Sequence, residues 1–368
     1  MVVDLAIAQR QKGDEVAVFS ILETGGLRPE LEAAGVPVWV GGKRRSFDWR
    51  VLKALRAAAR GSSTRPRADI VHAHNFVPNY YSAAGLIGLG RRPVLVGTSH
   101  DMGTRLANRR LRWIYRWSLR RTARVAMVGR QVYERFVDSG WVDPRRATLV
   151  RNGVPVERFG ITAQRRAAAR TQLGLAHDDL ALACVGRLVE LKNHRLVIEV
   201  LPQLIASHPK ARLVLLGDGV LGEALQSQAR SLGLQDRVVF AGERSSVGDL
   251  LAGFDLFVLP SRTEGLSIAL LEACATGLPV VATAVGGNSE IVEAAQAGLL
   301  VPPDDGPALR AAIDRMLGDA DQRARCGASA RAWVQEHASM DAFRATYDRF
   351  YREALAENPS PALRAGEG

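Results

Sequence analysis

At 368 residues, with 47% hydrophobic and 24% charged residues, the chain is long enough for two domains with full cores and excludes a disordered or fibrous class. No apolar run approaches the ~18 residues of a membrane-crossing helix, and the start MVVDLAIAQRQKGDE lacks the basic-then-apolar layout of a signal peptide, so the expected location is cytoplasmic. The formal charge of +11 is uneven: residues 1–160 carry 28 Lys plus Arg against 13 Asp plus Glu, a net of +15, and the remainder is slightly acidic.

In chain order, residues 2–12 predict a helix ending at Gly13, and Glu15 to Leu22 a strand. Val36 to Val40, Ile70 to His74, Val94 to Ser99, Val125 to Val128 and Ala147 to Arg151 read as short buried strands with helical patterns between them. Such alternation implies a parallel sheet covered on both faces. Within 104–124, Trp113, Tyr115 and Trp117 stand among arginines. This reads either as a solvated helix or as a basic amphipathic face. The HxH pair His72 and His74 lacks a second ligand cluster, so no zinc site is expected.

A composition change at Pro155 to Ala163 leads to a helix, Gln164 to Leu173, and a second alternation. Ala181 to Val185, Arg212 to Leu216, Val238 to Ala241, Leu256 to Leu259, Val280 to Ala282 and Gly298 to Val301 are its strands. Ligands of doubly wound sheets bind beyond the carboxyl ends of strands, where Arg187, Gly217 to Gly219, Glu243, Glu264 and Gly286 fall. From Pro307 to about Glu357 the chain reads as helical, and the DxD of Asp319 to Asp321 lies between two helices as a cap and turn. Cys184, Cys274 and Cys326 are few and scattered, with no metal spacing.

The densest chemistry lies in Leu256 to Gly287, LFVLPSRTEGLSIALLEACATGLPVVATAVGG. A buried strand runs into a loop carrying Glu264. A helix then starts near Ser267, a favoured N-cap, and stops at Gly277 and Pro279. The loop and first helical turn leave amides unpaired where the helix dipole is positive, which suits a phosphate. Glu272 lies about five residues into the helix, roughly 7–8 Å from its start, and leans back toward that phosphate. A ligand held by hydroxyls at both ends with phosphates between them is a sugar nucleotide. Two unrelated glutamates, one solvated and one locally paired, are the alternative.

Glu264 and Glu272 with seven residues between them, followed by Gly277, Leu278, Pro279 and a Val/Ala strand, resemble the EX7E signature of retaining glycosyltransferases of family 4. The resemblance extends to VGRL at 185–188 with Lys192, LVLLGDG at 213–219, VVFAGE at 238–243, RNGV at 151–154 and GTSHD at 97–101. It implies an α/β fold of GT-B type, with two doubly wound Rossmann-like domains facing a cleft. Expected boundaries are 1–157 for the acceptor-side domain, 158–340 for the donor-nucleotide domain, 341–357 for a helix crossing back and 358–368 for a flexible tail. The family's leading strand and Gly-rich loop have no counterpart before residue 2, so the first domain is expected to lack that strand, through truncation or rebuilding.

By the same resemblance His100 contacts the donor sugar, with Asp101 a weaker candidate, and Asn152 is a structural residue at the domain junction. Arg187 and Lys192 stabilise the leaving diphosphate, Glu264 binds the transferred sugar and Glu272 the ribose. Gly186, Gly217, Glu243 and the amides of Gly265, Leu266 and Ser267 complete the donor site. The catalytic set is therefore His100, Arg187, Lys192 and Glu264, with no metal and no cofactor. The expected reaction moves a hexosyl unit, with retention, from a UDP- or GDP-linked sugar to a cell-envelope glycan, lipid-linked or small-molecule acceptor. A sugar phosphorylase, a sugar-phosphate synthase and an inactive binding protein are the rivals. The basic first half adds an anionic membrane surface as a candidate partner, with peripheral location at its inner face; nucleic acid is not expected, and the oligomeric state is left open.

Overall fold

The computed structural model describes residues 1–23, 25–63, 66–90, 92–100, 108–244 and 247–357. Asp101, the beginning of the basic stretch 104–124 and the tail 358–368 lie outside the described residues. Two units emerge, Met1–Arg151 with Phe343–Gly368, and Asn152–Ala342.

The first unit opens on α1 (Val2–Lys12) and continues through β1 (Val18–Ser20), α2 (Arg28–Ala33), β2 (Val38–Val40), α3 (Trp49–Arg60), β3 (Ile70–His74), α4 (Phe76–Gly85), β4 (Val94–Ser99), α5 (Arg109–Leu119), β5 (Arg124–Val128), α6 (Arg130–Asp138) and β6 (Ala147–Val150). All its ladders are parallel, but they form two sheets, β1-β2 and β3-β4-β5-β6. The expected strand over 15–22 shortens to three residues: Glu15 is exposed, and only Val18–Ser20 pairs with Val38–Val40. Phe19 and Ile21 pack with Val51, Leu55 and Tyr81, so α3 and α4 cover the smaller sheet.

The second unit comprises α7 (Ala163–Leu173), β7 (Leu180–Val185), α8 (His194–Ser207), β8 (Ala211–Leu216), α9 (Gly222–Ser231), β9 (Val238–Gly242), α10 (Val247–Leu251), β10 (Leu256–Leu259), α11 (Ile268–Thr276), β11 (Val280–Thr283), α12 (Gly287–Ala294), β12 (Gly298–Val301), α13 (Gly306–Gly318) and α14 (Ala320–His337). Its six strands make one parallel sheet in the order β12-β11-β10-β7-β8-β9. Alternate residues of β7 and β10 feed two cores: Ala181, Ala183, Phe257 and Leu259 one, Leu182, Cys184, Leu256 and Val258 the other. Burial on both faces is why these strands are apolar runs rather than alternating patterns.

The two compact units part between Arg151 and Asn152. The cause is local: Val154 bridges Ser339, its amide donates to Ala338 O, its carbonyl accepts from Met340 N, and Phe159 is buried in the second unit's core. The last helix, α15 (Met340–Glu357), joins the first unit from Phe343 onward. Asp348 meets Gln9 and Lys12, Arg124 meets Glu353 and Glu357, and Tyr347 and Phe350 are buried.

Candidate functional site

The loop between β10 and α11 is built from below. Ser267 caps α11 by accepting from Leu270 N at 3.3 Å, and Gly277 ends the helix in a left-handed conformation with φ 90°. No acceptor among the described residues takes the amides of Gly265, Leu266 and Ser267. They stand at the positive end of the helix dipole as open donors. Gly286 and Gly287, at the start of α12, support this loop by close approach. Gly287 N donates to Gly265 O at 2.7 Å, and a Cβ on Gly286 would lie 1.8 Å from Glu264 O.

Glu264 is 8% exposed, and one oxygen, Oε1, accepts both from Lys192 Nζ at 2.5 Å and from Ser261 Oγ at 2.6 Å. Oε2 has no hydrogen-bond partner among the described residues. Lys192 ends a short turn after β7, and that turn is tied to the Glu264 loop by Arg262 N to Leu191 O at 2.9 Å and by the Glu190–Arg262–Asp304 ion pairs. Asn193, with φ 51°, extends the chain by donating to Asp304 at 3.0 Å. The loops carrying the cation and the carboxylate are thus held together by one backbone hydrogen bond and by side-chain ion pairs.

Gly186 and Gly217, the residues after β7 and β8, have φ 155° and 142°; a Cβ on Gly217 would sit 2.1 Å from Gly186 O, and Lys192 lies against Gly186. Both glycines permit two loops to cross at the carboxyl edge of the sheet. Arg187 is exposed there, with no partner among the described residues, and Glu243, after β9, is likewise exposed and unpaired. Glu272, on α11, takes no hydrogen bond to its carboxyl group among the described residues, and burial pushes its pKa up to about 7. Lys192 and Glu264 are therefore in direct contact, whereas Arg187, Glu243 and Glu272 share their sheet edge or helix without touching them.

Asp319 caps α14 by accepting from Gln322 N at 2.7 Å, as the cap reading expects. Among the described residues no group of three or more His, Cys, Asp and Glu is arranged to hold a metal ion. A concavity of about 450 Å³ lined by Phe159, Thr162, Arg165, Thr276 and Arg331 lies at the amino end of β11, away from all these residues.

In the first unit, His100 follows β4, its amide donating to Asn75 Oδ1 at 3.1 Å and its ring 6.0 Å from that of His74. Burial first, and the terminal ammonium second, lower its pKa. His72 is committed elsewhere: its Nδ1 meets Tyr351 at 2.7 Å and its Nε2 meets Thr98 at 2.7 Å, Thr98 in turn meeting Tyr347 at 2.9 Å. This His–Thr–Tyr network fastens α15. Asn152, expected at the junction, is buried in the second unit, its Oδ1 unpaired.

Ser261, Thr283 and the Glu190–Arg262–Asp304–Asn193 chain are site supports that the sequence reading did not single out. Thr283 Oγ1 holds Ser261 O at 2.6 Å. The partners are far apart in sequence, so no spacing reveals them; only the adjacency of Ser261 and Arg262 to Glu264 was a visible signal.

The family model described as Glycosyltransferase Family 4 matches residues 1–158, and the one described as Glycosyl transferases group 1 matches residues 165–333. An Escherichia coli UDP-Gal:alpha-D-GlcNAc-diphosphoundecaprenol alpha-1,3-galactosyltransferase is 28% identical over 268 residues, 69% of this chain and 68% of that enzyme. A GDP-mannose-dependent monoacylated alpha-(1-6)-phosphatidylinositol monomannoside mannosyltransferase of Corynebacterium glutamicum is 34% identical over 198 residues, 52% of each chain. A D-inositol 3-phosphate glycosyltransferase of Stackebrandtia nassauensis is 33% identical over 62% of this chain and 55% of its own. The matched part thus spans about half the length of the latter two. Among solved structures, Anabaena HepE in complex with UDP superposes with a TM-score of 0.81 at 22% identity, covering 96% of this chain and 95% of that one. Sucrose-phosphate synthase from Thermosynechococcus elongatus gives 0.77 at 22%, covering 97% and 93%. At these identities the likeness speaks for the fold alone.

Proposed function

From the premise that this chain belongs to glycosyltransferase family 4 and has the GT-B fold, we propose that it moves a hexosyl unit, with retention and without a metal, from a nucleoside diphosphate sugar to a cell-envelope glycan, lipid-linked or small-molecule acceptor. The observation that carries the reading is the Lys192–Glu264 pair beside open amides at the start of α11. The amides of Gly265, Leu266 and Ser267 receive the diphosphate, and Lys192 with Arg187 stabilises the charge that grows on it as the glycosidic bond breaks. Glu264, its charge balanced by Lys192, uses its free oxygen to accept hydroxyls of the transferred sugar. Glu272 accepts from the ribose. Gly186 and Gly217 give the donor room at the crossing loops, and Glu243 lies beyond β9 to meet the nucleoside. His100 is assigned to the donor sugar on the family resemblance.

In front-face substitution a donor phosphate oxygen takes the acceptor hydroxyl proton while the acceptor oxygen bonds the anomeric carbon and the diphosphate leaves from the same side. The protein's part is then orientation and charge stabilisation. UDP-linked and GDP-linked donors both remain in play, since the relatives cited above use UDP-galactose and GDP-mannose by name. Release of nucleoside diphosphate from a panel of UDP- and GDP-sugars, with and without EDTA, tests the reading. Turnover with one donor, unaffected by EDTA and abolished in Glu264→Gln, is expected. Loss on chelation with rescue by Mn or Mg would overturn the metal-free assignment. Turnover only with inorganic phosphate would favour a phosphorylase, and no turnover with any donor an inactive binding protein.

A further inference from the structure

The segment between β2 and α3 places cations and aromatic rings on one rigid exposed loop. Trp49 is 67% exposed, with its ring 5.0 Å from that of Phe47 in an edge-on contact, and Phe47 stacks on the buried Tyr81 at 5.5 Å. Large apolar rings left in solvent at the rim of a well-packed unit ask for a partner. Around them Lys43, Arg44, Arg45 and, one turn into α3, Lys53 have no side-chain partner among the described residues.

The loop's shape is set from beneath. Asp48 caps α3 through Arg50 N at 3.1 Å and accepts from Arg44 N at 3.2 Å, while its own amide donates to Tyr81 Oη at 2.7 Å. Asp48 also pairs with Arg50, so the one acid in the loop is neutralised. A loop so anchored spares its backbone ordering cost on binding.

A second cluster of this kind lies on a neighbouring helix. α4 packs against both α3 and α5, and the exposed side of α5 carries Arg109, Trp113, Arg116 and Arg120, with Trp113 69% exposed. Two tryptophan-and-cation clusters flank one helix within a unit whose first 160 residues carry +15. We propose that loop 43–50 is the principal anchor by which this unit docks on an anionic lipid bilayer, with Trp49 and Phe47 entering the headgroup boundary and Lys43, Arg44, Arg45 and Lys53 meeting lipid phosphates; the exposed side of α5 is the secondary contact. A small phosphorylated ligand would satisfy the cations but would leave two exposed tryptophans uncovered. A bilayer surface takes both, since indole rings favour the interface and each cation near an anionic surface adds roughly 1 kcal/mol.

Sedimentation of the full chain with vesicles of phosphatidylcholine, alone or mixed with phosphatidylglycerol, tests the proposal without any sugar donor, so its failure would leave the transferase reading intact. Binding only to the mixed vesicles, fading as salt rises, is expected. Lys43→Gln with Arg44→Gln and Arg45→Gln should lower it on the order of a hundredfold, at about fivefold per charge. Trp49→Ser, a change at an exposed position, should keep the melting temperature and lose the larger part of the tryptophan quenching by brominated lipid, the remainder coming from Trp113. Equal binding to neutral vesicles, or full binding by the loop variants with loss only when Arg109, Arg110 and Arg116 become Gln, would overturn the loop as anchor. Heat on titration with glycerol phosphate that vanishes in the triple variant would instead assign a small-phosphate site, and equally tight capture by duplex DNA a nucleic-acid surface.

Discussion

The two units solve the same packing problem differently. The second closes one six-stranded sheet whose central strands β7, β8, β10 and β11 are almost wholly buried. The first has its strands in two sheets, and β1 and β3 are mostly half-exposed while β4 and β5 are buried throughout. A complete apolar sandwich lets the second unit cross its edge loops at Gly186, Gly217 and Gly286 and fix charged side chains there. The first unit fills the cover of its larger sheet with α15, fastened by polar contacts through His72, Thr98, Tyr347 and Tyr351. One unit is held by burial and the other in part by hydrogen bonds that must be satisfied, so they should respond differently to cavities and to acid.

Cavity creation is the strongest way to break that comparison. Phe257→Ala, at a wholly buried position of β10, should cost about 3–5 kcal/mol in urea unfolding. Phe19→Ala, on the half-exposed β1, should cost only about 1 kcal/mol, in line with partial burial. Equal costs would mean the split sheet is packed as tightly as the continuous one. Next in size, Arg187→Ala should reduce kcat on the order of 10²- to 10³-fold with nucleoside diphosphate affinity reduced less, because a cation that acts on developing charge is missed most in the transition state. An unchanged kcat would remove Arg187 from the leaving-group role.

The polar side of the comparison is tested at His72. Burial first, and the charge on His100 second, lower its pKa to about 3. The unfolded chain therefore binds a proton that the folded chain refuses between the ordinary histidine range near 6.5 and about 3, and the unit should lose stability progressively as pH falls through that window. His72→Phe removes the His72 share of this acid sensitivity, leaving that of the buried His74, whose pKa burial also lowers, and it strands the Tyr351 hydroxyl while Thr98 keeps Tyr347, at about 1–3 kcal/mol near neutral pH. Should acid melting curves of wild type and His72→Phe coincide after that offset, the buried neutral ring is not what limits the first unit in acid.

How much of this was legible in the sequence follows the same division. The second unit's strands are short apolar runs such as LFVL and VVAT, the Ser267 cap and Gly277 stop frame α11, and Glu264 and Glu272 stand at a fixed spacing, so periodicity and capping chemistry suffice. In the first unit β1 and β2 keep only the residues that pair with each other in register, while Val36 before β2 turns its amide back to Leu31 O at the end of α2, which no alternation pattern reveals. That Val154 stands with the second unit rests on its pairing with Ser339, a contact across a whole domain's length of sequence. The Glu190–Arg262–Asp304 chain and the loop under Trp49 were hidden likewise: each charged residue alone reads as surface, and only the fold makes it a support.

The smallest expected effect bears on the second unit's reliance on burial. Glu272 has no partner for its carboxyl group among the described residues, and burial pushes its pKa up to about 7, so the folded chain retains a proton there that the unfolded chain has released at the ordinary glutamate value of 4.5. Its sign is opposite to that of His72: stability is lost as pH rises from about 4.5 to 7, and Glu272→Gln should abolish that slope. If Glu272 accepts ribose hydroxyls, only the ionised form serves both, and the ionised fraction falls about fivefold between pH 7 and pH 6 for such a pKa. Nucleoside diphosphate affinity of the wild type should then weaken by about that factor over the same interval, while Glu272→Gln binds more weakly at pH 8 and shows only the dependence contributed by the nucleotide's own phosphate. Calorimetry at three pH values on both proteins measures the difference directly. Parallel curves for the two would place the ribose elsewhere and leave Glu272 as a buried acid without a ligand.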